Sequence, residues 1–193
     1  DPIPDWPFVW EIPLETNDSA ERPTPDDPDA VGDPVQTDPG TTNAGDDIRS
    51  EEIEVAVHER INTIRAGADS NHEHDGDLEE LAWDEDIADI SRTYSHDMGE
   101  RGYFSHVSPE GETPADRFGG LYPAPCRGVG ENLARVSTMG ASDSEVVADQ
   151  VVEGWMNSPG HRENILRAQW DSQGIGVYIN GSNVYATQKF CGG

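Results

Sequence analysis

From residue 50 onwards the apolar positions recur at two spacings, and the two spacings predict different elements. Ile53, Val57, Ile61 and Ile64 return every three or four residues, the stripe that an amphipathic helix buries. Ser50 stands ahead of it as a cap, and the helix is expected to end before Gly67. A second stripe, Ile87, Ile90, Tyr94 and Met98, begins behind the capping residue Asp84. Thr113-Pro114-Ala115-Asp116 reads as a short helix start: a cap, a proline at the first position and an acid in the first turn. Ser142 and Glu145 have capping-box spacing ahead of Val146, Val147, Val151 and Trp155. Ser158-Pro159 opens a further short helix through Leu166.

Strand signals are fewer. Residues 174–179 and 183–190 flank Asn180-Gly181-Ser182, which predicts a β-hairpin around a short Asn-Gly turn. A third strand is expected over Asn132 to Val136, and residues 69–80 read as a polar loop. Several helices around a small, mostly antiparallel sheet predict a mixed α/β sandwich.

Residues 1–50 change the picture at the other end. They hold nine of the fourteen prolines and too little apolar area to offset chain entropy, so they read as a disordered acidic linker or arm. Trp6, Phe8, Val9, Trp10, Ile12 and Leu14 interrupt that composition. Residues 6–14 are therefore a candidate for self-association or for docking on a sheet edge. Residues 51–193 form the folded domain.

The chain carries 39 acidic and 12 basic residues, and only Lys189 among the basic ones is a lysine. Residues 51–193 alone hold 26 acidic and 10 basic residues, so the excess is not confined to the arm. Such self-repulsion destabilises a compact state, and salt near 1 M, where the Debye length is roughly 3 Å, removes most of it. A hypersaline origin is the expectation. Nothing here would neutralise phosphates, which excludes a nucleic-acid partner. No apolar run approaches 18 residues. The chain begins at Asp1 rather than Met, which reads as a mature or trimmed form with room upstream for a removed leader or anchor.

Of the six histidines, several carry no chemistry in this pattern. His58-Glu59 would need a second histidine at position 62 to make a zinc-protease helix, and Asn62 stands there. His72-Glu73-His74 lies in the polar loop without fixed geometry, and His96 lies among polar positions. His106 follows the apolar pair Tyr103-Phe104 and precedes a turn. His161 falls in the first turn of the helix that Ser158 opens, where the dipole disfavours imidazolium. A neutral imidazole is what a metal ion or a general base requires. Glu131 enters a strand between Gly130 and Asn132, and Glu153 precedes Trp155.

Taken in order, these segments resemble the CAP superfamily of cysteine-rich secretory, antigen 5 and pathogenesis-related proteins, and its prokaryotic SCP-like branch most closely. The residues that carry the likeness are His58-Glu59-Arg60-Ile61-Asn62, Leu81-Ala82-Trp83-Asp84, Phe104-Ser105-His106 with Ser108-Pro109, and Gly130-Glu131-Asn132-Leu133-Ala134. Gly154-Trp155-Met156-Asn157-Ser158-Pro159-Gly160-His161-Arg162 and Gly174-Ile175-Gly176-Val177-Tyr178 complete the set. The resemblance implies an α+β fold, a three-layer α-β-α sandwich with an open groove lined by two histidines and two acids, of which the histidines can hold a divalent metal such as zinc. His106, His161 and Glu131 match directly. Ser158 stands where many eukaryotic members place the second glutamate, and Glu153 is the expected substitute. The candidate groove is thus His106, Glu131, Glu153, His161, Asn132 and Ser158, with His106 and His161 as metal ligands and Glu131 and Glu153 as candidate catalytic acids.

Asn132 and Asn157 are expected to satisfy backbone groups near the groove, Arg162 to pair with Glu131 or Glu163, and Trp83 and Trp155 to sit in the core. Cys126 precedes one strand and Cys191 ends another, so a disulfide between them is expected. The favoured function is an extracellular or cell-surface binding module whose partner is a small ligand, lipid, peptide or surface. The alternatives are a metal-dependent peptidase or esterase using the same cluster, and a structural protein that assembles through its N-terminal arm.

Overall fold

The first apolar stripe folds as α1, Ser50–Arg65. The computed structural model describes residues 48–67, 78–122 and 126–192. The arm at residues 6–14 and His72-Glu73-His74 lie outside the described residues. Ser50 is the first helical residue rather than the cap; Arg49 takes the cap position without a side-chain bond. Ser144 Oγ instead accepts the Arg49 amide at 2.9 Å. Ile48 is buried in the main core, so the packed domain includes residues just ahead of the helix.

The remaining elements follow the sequence closely. A two-residue strand, β1 (Ala82–Trp83), leads into α2 (Glu85–Arg101), capped by Asp84, which accepts from the Ile87 amide. Gly102 ends α2 at φ 68°, a left-handed conformation that glycine adopts without penalty. Thr113 and Asp116 form a reciprocal capping box on α3 (Pro114–Leu121). Then come β2 (Gly128–Ser137), α4 (Ser144–Asn157), α5 (Pro159–Ile165), β3 (Ser172–Asn180) and β4 (Asn183–Gly192). The cap of α4 is Asp143, not Ser142; its carboxylate accepts from the Val146 amide at 3.0 Å.

The strands form one sheet in the order β1-β3-β4-β2. The β3–β4 and β4–β2 pairings are antiparallel and β1–β3 is parallel, so the sheet is mixed but mostly antiparallel. Alternation along the strands divides the core. Ile175, Ile179, Val184 and Ala186 pack with Ile53, Val57, Ile61, Val147, Val151 and Trp155 of α1 and α4. On the other face Tyr94 and Met98 of α2 pack with Leu133 and Tyr185, and Ile87 and Phe118 pack with Cys191. Trp155 is buried as expected and donates Nε1–H to the Leu133 carbonyl at 2.9 Å. Trp83 is only half-buried, at the rim of the main core.

Two glycines let α2 lie directly on the sheet. A Cβ on Gly174 would stand 2.2 Å from the Ala88 nitrogen, and one on Gly176 would stand 1.9 Å from the Arg92 nitrogen. Ser91 and Ser95 use that closeness, donating to the Gly174 and Gly176 carbonyls at 3.0 and 2.8 Å. At the end of this face Cys126 and Cys191 are joined in the expected disulfide, with Cα atoms 5.4 Å apart.

Candidate functional site

β2 is the edge strand, and two layers meet along it. Glu131 points to the α2/α3 face, where its side chain is 2% exposed. Its carboxylate is held from three directions. Arg117 Nη2 donates to both oxygens, at 3.2 and 3.0 Å. Lys189 Nζ, from the facing strand β4, donates to Oε2. His106 Nδ1 donates to Oε1 at 2.9 Å. Burial alone would raise this carboxyl, but Lys189, the His106 hydrogen bond and Arg117 outweigh it and hold the pKa down at about 2. Arg117 and Lys189 are basic side chains on Glu131 that the sequence did not suggest.

The loop carrying His106 is fixed by the same cluster. Tyr94 donates its hydroxyl to the Ser105 carbonyl at 2.5 Å, and Arg117 Nη2 donates to the His106 carbonyl at 2.9 Å. The Arg117 guanidinium also lies 3.4 Å over the Tyr94 ring, a cation–π contact. Burial, first of all, raises the Tyr94 hydroxyl to about 12. Burial pulls the Lys189 ammonium below its ordinary value; Glu131 opposes this and Arg117 adds to it.

His161 approaches from α5, at the third position of the helix. Its pKa is lowered to about 4, first by burial and then by His106. Burial, with His106 second, keeps this imidazole neutral. His161 Nδ1 is buried without a hydrogen-bond partner among the described residues, as is Ser158 Oγ. Asn132 donates to the His161 carbonyl at 3.4 Å and to Gln188 Oε1 at 2.9 Å. Asn164 donates to the Glu131 carbonyl at 3.3 Å.

Glu131 thus holds His106 on the α2/α3 face, while Asn132, on the α1/α4 face, reaches the His161 carbonyl, and Ser158 stands just ahead of α5. Glu153 is exposed on α4, and its carboxylate accepts from Asn157 at 3.4 Å. No described contact joins Glu153 to His106, Glu131, His161 or Asn132. Asn157 accordingly serves that surface carboxylate instead of a groove backbone group. Sequence reasoning missed Arg117, Lys189, Tyr94 and Asn164. Lys189 did give a signal, as the chain's single lysine at a strand position whose alternation predicts burial. His96, among polar positions in the sequence, is half-buried, with its ring edge-on to Tyr178 at 4.5 Å.

The donor set suits a divalent metal in one respect. With Nδ1 committed to Glu131, a neutral His106 ring presents Nε2 as its lone pair, the carboxylate–histidine arrangement that orients metal ligands. His161 supplies a second neutral imidazole. Among the described residues no group of three or more His, Cys, Asp or Glu side chains is placed to share an ion. An ion here would have two imidazoles to draw on, with solvent in the remaining positions.

The fold is an α-β-α sandwich whose β2 edge carries the His106–Glu131 pair, with the His161 backbone in contact with Asn132 of the same strand. The model of the cysteine-rich secretory protein (CAP) family matches residues 58–190, and the chain belongs to that family. It is 35% identical over 118 residues to the uncharacterised protein YkwD of Bacillus subtilis, covering 60% of this chain and 40% of that one. An extracellular SCP-domain protein of Bacillus anthracis is 34% identical, with TM-score 0.58, over 75% of this chain and 41% of that one. An outer surface protein of Borrelia burgdorferi shares the fold at 21% identity and TM-score 0.57, over 78% of this chain and 100% of its own. The chain spans about two fifths of the length of the two Bacillus proteins. Among the described residues no helix is long and apolar enough to cross a membrane.

Proposed function

We propose that the domain is an extracellular or cell-surface binding module, adapted to high salt, whose groove takes a divalent metal such as zinc between His106 and His161. The observation that carries this reading is the clamp on Glu131. A carboxylate held near pKa 2 by two cations is a poor general base, but it fixes the His106 ring with Nε2 outward. Glu153, the other candidate acid, is exposed on α4. The residues therefore support holding and orienting a ligand better than activating water. The metal, when bound, would supply Lewis acidity and open coordination positions to a small ligand or peptide. The disulfide supports an oxidising compartment, and the acidic, lysine-poor composition supports a saline one.

Zinc titration calorimetry in molar salt tests the site. The His106→Ala and His161→Ala variants are expected to lose affinity by at least tenfold, with Glu131→Gln weakening it through loss of ring orientation. Unchanged affinity in both histidine variants overturns the metal reading. The hydrolase alternative is separated by a peptidase and esterase screen in the same salt. Turnover that a chelator abolishes and zinc restores would replace binding by catalysis.

A further inference from the structure

The α1/α4 face of the sheet is apolar except for one polar stripe. Asn132 on β2 stands directly opposite Gln188 on β4, and Gln173 on β3 lies diagonally beyond. Their amides form a continuous chain. Asn164 Nδ2 donates to Asn132 Oδ1 at 3.0 Å, Asn132 Nδ2 to Gln188 Oε1 at 2.9 Å, and Gln188 Nε2 to Gln173 Oε1 at 2.7 Å. Gln173 Nε2 then meets His58 Nδ1 at 2.9 Å. All four amide residues are buried, and His58 is half-buried. A buried polar chain of this kind is tolerated only when its members are paired.

The chain has a direction, and its two ends disagree about it. At the groove end Asn132 and Asn164 also donate to the His161 and Glu131 carbonyls, which can only accept. That polarity delivers an N–H to His58 Nδ1 and leaves the ring proton on Nε2. At the far end Asn62 is pinned by Leu81: its Nδ2 donates to the Leu81 carbonyl at 3.1 Å, and its Oδ1 accepts the Leu81 amide at 2.9 Å. It therefore presents a second donor to His58 Nε2, at 3.3 Å. The charged groups facing His58 are Glu59 on its own helix and Glu80 ahead of β1. β1 presents Trp83, edge-on at 5.3 Å, and β3 presents the neutral Gln173.

We propose that His58 is a positioning residue coupled to the groove through Gln173, Gln188 and Asn132, so that the proton state of its ring sets the sense of the amide chain. A second proton on His58 places an N–H against Gln173, which must turn its oxygen to the ring. Gln188 and Asn132 must then turn in sequence to keep their bonds. The reversal ends by releasing the His161 and Glu131 carbonyls, held at 3.4 and 3.3 Å. The coupling itself does not depend on metal binding, so it stands or falls separately from the proposed function.

The test is a pH titration of the metal-free full chain in molar salt, followed by the His58 ring nitrogens and the side-chain NH2 resonances of Gln173, Gln188 and Asn132. Expected is one shared midpoint for all four residues, distinct from that of His161, and loss of the three amide shifts in His58→Phe. Amide shifts of Gln188 and Asn132 that stay flat, or follow His161 alone, while Gln173 follows His58 overturn the coupling. The wild-type titration decides this even if His58→Phe fails to fold.

Discussion

Two glutamates are buried at opposite edges of the sheet, and they respond to burial in opposite ways. Glu131 sits on the edge strand β2, and its pKa falls to about 2. Glu54 of α1 covers the edge of β3, accepting the Val177 amide at 2.9 Å, and its pKa is raised. Burial works the same way on both; the difference lies in the cations. Glu54 has Arg92, which is shared with Glu85 and Asp89 and is partly exposed. Glu131 has Lys189 and Arg117, both buried, and the His106 hydrogen bond. One carboxylate clasps a sheet edge between helices of opposite layers. The other neutralises two buried cations and orients a histidine. Burial alone does not set the charge state of a carboxylate; the cations beside it do.

The largest effect that separates them is truncation. Glu131→Ala strands two buried cations and should cost about 3–5 kcal/mol in urea unfolding. Glu54→Ala should cost less, about 1–3 kcal/mol, mostly for the unpaired Val177 amide, since Arg92 keeps its other acids. Equal costs would remove the distinction. Next in size is the disulfide, which ties the start of β2 to the end of β4 across a sequence separation of 65 residues. Removing it by a Cys126→Ser, Cys191→Ser double variant should cost about 4 kcal/mol in the chain-entropy model, read as a shift in denaturation midpoint.

Acid then sharpens the contrast by sign. A lowered carboxyl contributes stability above its unfolded value that is lost as pH falls towards about 2, so Glu131→Gln and wild type should converge near that pH. A raised carboxyl behaves oppositely, so Glu54→Gln should fare relatively better at pH 7 than in acid. His161 adds its own acid loss in metal-free protein. Its folded value near 4 lies below the unfolded one of about 6.5, so stability falls as pH drops through that window, and His161→Gln should flatten this part of the curve. The smallest effect per site is screening. Raising salt from about 0.1 M to 1 M contracts the Debye length from roughly 10 Å to 3 Å. Unfolding midpoints should rise in wild type while the gap between Glu131→Ala and wild type, set by buried groups, barely moves.

Much of the fold was legible because its signals are local. The α2 and α3 caps and the apolar stripes are each decided within a few residues, as is the hairpin, though its turn is Gly181-Ser182 because Asn180 pairs with Asn183 as the last residue of β3. The β1 strand was not, since two residues carry no periodicity and only the parallel partner β3 defines them. Nor was the choice between Ser50 and Arg49, or between Ser142 and Asp143, which the packing of α1 against α4 decides. The same division runs through the site. His106, His161 and Glu131 stood in recognisable motifs. Arg117 and Lys189 reach Glu131 from a different helix and strand, a pairing that only the assembled sheet reveals. Glu153 looked close to the site along the chain, but the helical rotation of α4 leaves it on the exposed surface.

The central claim is that Glu131 orients His106 without itself binding the ion. Zinc-edge anomalous diffraction from crystals grown with zinc in molar salt tests it most directly. The account predicts a peak within bonding distance of His106 Nε2 and of a His161 ring nitrogen, with both Glu131 oxygens still on Arg117, Lys189 and His106 Nδ1. A peak ligated by Glu131, or zinc sites that avoid both histidines, would contradict it.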